Sequence, residues 1–499
     1  MGEEVKVDKW GYEVKTSSDA CISAINAYYH QVMIYGRERS VILEAPLRDQ
    51  YCVLANILAA HFLCSADPSR APLHIQAAKS RLQQASSYEK AVFDAVSCLI
   101  SQDRDDDLAL ELHSKLLKDF PRDLVSLKRA QVLCFYMGRP DLSFKLVQQV
   151  LHENQNENYI YGMLAFSLLE CGQMVDAEKA AKRGFEINKR DCWSQHALCH
   201  VLQHECRFKE AVEFMEECSS SWSLCSSFML THNWWHVSLC YLEGHSSIRK
   251  VLEVYDYYIW KELERPDAAS AEVYLNALGL LLRVYVQGHA VVFEDRLKTL
   301  VSRLTDQSTW YIEWHLDLLT IWALASTGEL VKAEALLQGL KSRLSRMSKK
   351  KQQTMQRGIL LAEALYEYGR GDHIRALELL GPDFNANHCK VVSSSTIVGV
   401  YILTTLLFIS GKKHEFTSLF QMIGASDEQL DVFNELWYSM LLSTGQAKKA
   451  IEVIEKQVKN REGVPFLWRL LERGYSMTGN QDARVAGEKA MALETSYFK

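Results

Sequence analysis

Two glycines 34 residues apart, Gly138 and Gly172, constrain this chain of 499 residues more than any other feature. Each closes an apolar run with helical spacing and opens a tight turn. Adding 34 reaches Cys206 and subtracting 34 reaches Arg104, both at a break before a new helical run. Small residues keep step, since Ala109, Ser143, Ala177 and Ala211 follow the break by five. Gly445 and Gly479 repeat the interval, and Gly244, Gly288, Gly328, Gly371 and Gly411 mark looser steps of about 40. The flanking text is alike in kind: LLECGQMVDAEKA, LASTGELVKAEAL, LYEYGRGDHIRAL and LLSTGQAKKAIEV. In each, one amphipathic helix ends, a glycine-led turn follows and another helix starts.

A helix–turn–helix period of 34 residues is that of the tetratricopeptide repeat. Its W-x2-L-G-x2-Y pattern recurs in degenerate form at Trp234, Val237, Ser238 and Tyr241, and its ends at Trp468 and Tyr475. Pro121 stands where such a repeat closes. Large residues on the first helix fill the space left by the small residue on the second, and no unit buries its apolar face alone. The spacing therefore predicts an all-α, right-handed superhelix, a tetratricopeptide-repeat solenoid essentially without strands. About eleven helix pairs are expected over residues 90–499, with helices of about 12 to 18 residues and loops of about 2 to 8. Residues 1–89, with amphipathic stretches at 19–35 and 49–65, are expected to form an N-terminal helical cap of non-standard repeats. Gly at 24 and Pro at 8 of 499 residues fit this reading, because β sandwiches and barrels need more turn residues.

A net charge of −6 gives no reason to expect nucleic acid as the main partner. The thirteen cysteines contain no CxxC pair and mostly sit in apolar runs, as reduced thiols in the cytoplasm do. The opening MGEEVKVDKWGYEVK has no apolar stretch of a secretory signal. Residues 391–410 are uncharged, but their strongly apolar part, 396–409, is short for a membrane span of ~20 residues. A soluble chain with a buried helix there is expected. The run at 341–357 carries seven basic residues and reads as a solvated helix end. The acidic run of Asp103, Asp105, Asp106 and Asp107 precedes an apolar helix and reads as its cap.

Two segments are more specific. DCWSQHALCHVLQHECRFKEAVEFM starts at Asp191 and THNWWHVSLCYLEG starts at Thr231. They resemble the tetratricopeptide repeat protein 38 family, whose H-x3-H helix is followed by an H-N-aromatic-W-H helix. The matching positions are His196 and His200, then His232, Asn233, Trp235 and His236. RDLVSLKRAQVLCFYMG and LDVFNELWYSML are similar to that family too, while EWHLD at 313–317 echoes its FNDAH-like segment only loosely. The resemblance implies a repeat fold and brings no activity with it.

His196, His200 and His204 lie four apart and form one helical stripe, drifting ~40° per step. Leu198, Cys199 and Leu202 take the packing side. The stripe is expected to face the concave groove of the repeats, joined by His232 and Trp235, with Asn233 and His236 beside them. The plainest reading makes these histidines structural. A second makes His196, His200, His232, Asn233, Trp235 and His236 a peptide groove with a Trp platform. A third makes His196, His200, His232 and His236 ligands of zinc or nickel. No HExxH exists, since Ala197 follows His196, and no phosphate loop or G-x-S-x-G elbow occurs. The expected function is a non-catalytic scaffold that binds protein or peptide segments through its concave groove, with no cofactor. A metal-binding protein or enzyme built on the histidines is the competing expectation.

Overall fold

A computed structural model describes residues 5–101, 104–347, 349–389 and 425–498. The stretch at 391–410 and Gly411 therefore lie outside the described residues. Those described fall into two compact units, one of residues up to 198 with 218–229, the other of 199–217, 230–389 and 425–498.

The first unit opens with an antiparallel hairpin, β1 Val5–Val7 against β2 Glu13–Lys15. Two strands of three residues leave the described residues essentially without strands, as expected. Helices then follow in succession: α1 Asp19–Met33, α2 Glu44–Arg48, α3 Val53–Ala66, α4 Ala71–Arg81, α5 Ser87–Leu99 and α6 Asp106–Asp119. After them come α7 Leu124–Tyr136, α8 Pro140–Asn154, α9 Ile160–Glu170 and α10 Met174–Ile187. From α5 to α10 each helix packs on the next. The Asp105 carboxylate accepts from the backbone amides of Asp107 and Leu108, so the acidic run does cap α6.

Helix α11, Cys192–His204, runs unbroken into the second unit. There α12 Phe208–Cys218, α13 Ser227–Glu243 and α14 Ile248–Val254 precede α15 Ser270–Val286, α16 Ala290–Leu304 and α17 Trp314–Ser326. Next are α18 Leu330–Ser345, α19 Lys349–Gly369 and α20 His373–Leu380. The unit ends with α21 Asp427–Ser443, α22 Ala447–Asn460, α23 Pro465–Thr478 and α24 Asp482–Glu494. Helices α15, α17 and α19 pack in succession, α15 on α17 and α17 on α19, while α16 and α18 each pack on the helices that flank them in sequence and α20 packs on α19.

The repeat is written into the backbone at its turns. Gly138, Gly172, Gly288, Gly328, Gly371, Gly445 and Gly479 all take a left-handed φ between 60° and 91°. Nothing lies within 4 Å of a Cβ built on Gly328, so the backbone angle alone selects glycine there. The following amide reaches back five residues, as Gln173 does to the Leu168 carbonyl and Glu329 to the Leu324 carbonyl, both at 2.9 Å. Cys206 and His245 hold the same conformation at φ 57° and 55°. The turn expected at Gly244 thus falls one residue later, on His245.

Packing layers of helix pairs leave one face of the first-helix layer uncovered unless something fills it. In the second unit helix α21 fills it, packing against α15. Phe433 on α21 also meets the His315 ring of α17 edge-on, 6.1 Å between centroids. The end of the chain closes the same unit: Phe498 packs on Tyr241 and Tyr497 on Phe208.

Candidate functional site

The six residues singled out by sequence are buried, none more than 3% exposed. They do not line an open groove. Leu198, Cys199 and Leu202, on the opposite side of α11, are buried as well, so that helix is enclosed around its circumference. His204, the last member of the stripe, is exposed. Trp234, assigned to packing, stacks on Tyr258 at 3.8 Å, whereas Trp235, assigned to a groove platform, lies deeper at 2% exposure. Its indole stacks on His232 at 5.2 Å between centroids and meets Gly279 of α15, where a Cβ would stand 3.4 Å from Nε1. The reason for the correction is α21, whose side chains occupy the face that the repeat pattern leaves open.

Within the second unit three of the histidines come together. His232 and His236 are one turn apart on α13, and His200 faces them from α11. The His200 and His236 rings lie 4.3 Å apart and those of His232 and His236 4.8 Å apart, both edge to face. Each of the three offers a ring nitrogen within 4.8 Å of the others'. His196 stands one turn before His200 on the same unbroken helix, with Trp193 stacked on it at 5.0 Å.

Side chains on the surrounding helices hold each ring by Nδ1. His232 Nδ1 bonds Asn276 Oδ1 of α15 at 2.9 Å, and the Asn276 amide nitrogen donates to Thr231 Oγ1 and the Glu272 carbonyl. The asparagine oxygen is therefore the acceptor and His232 Nδ1 the donor. His236 Nδ1 meets Gln203 Oε1 at 2.9 Å, and the Gln203 nitrogen donates to Glu243. His200 Nδ1 stands 2.9 Å from the Glu428 carboxylate of α21, close enough for an ion pair. The relays behind His232 and His236 thus fix the same tautomer, leaving Nε2 as the nitrogen that can accept or ligate in each.

Electrostatics agree with burial. The His232 imidazole is pushed down to about 4 by desolvation, and His315 nearby to about 3, so both are neutral near pH 7. Burial would raise Glu428, but the adjoining His200 and its hydrogen bond hold the carboxyl well below its usual range. Beyond it lies an ionic cluster. Glu243 pairs with Arg283 at 3.4 Å and with Arg461 at 2.6 Å. Arg283 also reaches Glu435 at 3.3 Å, and Arg461 reaches Asp431 at 3.4 Å. Burial lifts Asp431 to about 6 and Glu435 to about 7.

Sequence reading missed Gln203, Asn276, Glu428 and both arginines. The available signal was a polar residue on an otherwise apolar helix face, as Glu435 is within LDVFNELWYSML. The basic run at 341–357 spans the end of α18 and the start of α19, with Lys341 paired to Glu363. No described helix is long and apolar enough to cross a membrane.

No family model matches the chain. Among solved structures, a human IFIT1 dimer with m7Gppp-AAAA is 13% identical, aligning 96% of this chain and 91% of that one with a TM-score of 0.36. An IFIT1 monomeric mutant with Gppp-AAAA is 12% identical over 96% of both chains, with a TM-score of 0.41. At these values no ligand transfers to the present chain, whose all-α architecture of repeated helix pairs stands on its own geometry.

Proposed function

We propose that this chain is a non-catalytic tetratricopeptide-like scaffold that binds a protein segment, docking it on the turn edge of the second unit rather than on the inner face. The carrying observation is a row of exposed apolar residues in one register. Val291, Val331 and Ile374 each lie three residues past a left-handed glycine and are 86%, 85% and 66% exposed. They begin α16, α18 and α20, the second helices of successive pairs, whose first helices α15, α17 and α19 pack in order. One exposed valine means nothing, but the same exposure at the same repeat position favours a docking edge. Thirteen free thiols fit a cytoplasmic home. The resemblance to the tetratricopeptide repeat protein 38 family rests on the six motif residues at 196–236 and on the stretches RDLVSLKRAQVLCFYMG and LDVFNELWYSML.

The test uses a photo-crosslinking residue at position 331 to capture and identify the partner in cells. The triple variant Val291→Asp, Val331→Asp, Ile374→Asp should then lose that partner while its melting temperature stays within a few degrees of wild type. Undiminished binding by the triple variant would refute the docking edge.

A further inference from the structure

We propose that His200, His232 and His236 form a binding site for one divalent transition-metal ion of the zinc type. The donors are His200 on α11 and the pair His232 and His236, spaced i, i+4 on α13. Helix geometry puts both members of the α13 pair on one face, and imidazole nitrogen suits Zn²⁺, Cu²⁺ or Ni²⁺ rather than Mg²⁺ or Ca²⁺. With bonds of ~2.0–2.1 Å a tetrahedral ion needs ligand separations of about 3.3 Å. The three nitrogens already within 4.8 Å of one another close that difference by small ring movements.

Two further observations point to a cation rather than to packing. The first is the support behind each ring. Asn276 and Gln203 accept from Nδ1 of His232 and His236 at 2.9 Å, which orients those imidazoles and presents Nε2 as the ligand, and the Glu428 carboxylate stands 2.9 Å from His200 Nδ1. Metal-bound histidines are held by this kind of carboxylate or carbonyl partner. The second is charge. Next to the histidines lie four carboxylates, Glu243, Glu428, Asp431 and Glu435, against two guanidiniums, Arg283 and Arg461. With Glu435 partly protonated near pH 7, the cluster keeps between one and two negative charges in the interior, which a divalent ion held by imidazoles would offset. Glu428 and Glu243 touch the ligands directly or through Gln203.

The experiment uses the full chain without a histidine tag, stripped with chelator and shown to be folded by circular dichroism. Zinc sulfate is titrated by calorimetry, and cobalt(II) chloride is added as an optical probe. The expected result is one equivalent of zinc, a rise in melting temperature, and tetrahedral cobalt absorption that zinc displaces. Asn276→Leu should weaken zinc binding by about 10–100-fold. The double variant His232→Ala, His236→Ala should lose the site. Because that variant carries its own folding risk, the wild-type titration decides first. A folded, stripped wild-type chain that takes up no stoichiometric zinc, cobalt, copper or nickel overturns the proposal. So does a folded double variant that binds zinc as wild type does.

Discussion

The inner face and the turn edge of the second unit invert the usual distribution of polarity. On the inner face α11, α13, α15 and α17 carry histidines, amides and carboxylates at nearly zero exposure, sealed by α21. On the turn edge α16, α18 and α20 hold valine and isoleucine out in solvent. Position within a repeat therefore does not set exposure. What covers a face does, and the chain supplies its own cover on one side only.

The largest expected effect lies in the ionic cluster. Arg461→Ala leaves the Glu243 carboxylate buried with one partner removed, and breaking such a pair costs about 3–5 kcal/mol. An exposed pair such as Lys298 with Glu294, screened by solvent, should cost far less when broken. Urea denaturation of both variants sharpens the contrast between interior and edge, and equal losses would erase it. Trp235→Ala should cost about 3–5 kcal/mol, against less than about 0.5 for Val331→Ala.

Next in size is the response to pH, which separates two buried groups of opposite sign. His232 and His315 bind protons in the unfolded chain near pH 6.5 but only near 4 and 3 when folded. Their contribution to stability is complete above pH 6.5 and is lost as pH falls toward 4. Burial lifts Glu313 and Asp317 to about 8, so their contribution is present at acid pH and is lost between about 4 and 8. Stability measured by urea midpoint should pass through a maximum below pH 7. His315→Gln should flatten the acid limb and Asp317→Asn the other; an unchanged profile in both contradicts their burial. The smallest effect belongs to the turn edge, where each aspartate substitution should shift stability by about 0.5 kcal/mol or less.

The repeat was legible because left-handed turns select glycine, and a helix ends wherever that conformation is forced. Gly138 and Gly172 report it directly, while Cys206 and His245 hold the angle without the residue that would reveal it. Periodicity also placed His196 with His200 and His232 with His236 on shared helix faces. It could not place them in the interior, because their burial depends on a helix more than 190 residues later in the chain. No local pattern encodes that return. Glu428, Asn276 and Gln203 escaped for the same reason, since each is an ordinary polar residue until the fold sets it against an imidazole.

The most direct test of the closed inner face is histidine footprinting of the native chain with diethyl pyrocarbonate, read by mass spectrometry. The account predicts rapid modification of His152, whose side chain is 90% exposed, and of exposed His204, while His200, His232, His236 and His315 stay protected until the protein unfolds. Modification of those four in the native chain at the rate of His152 would show an open groove and contradict it.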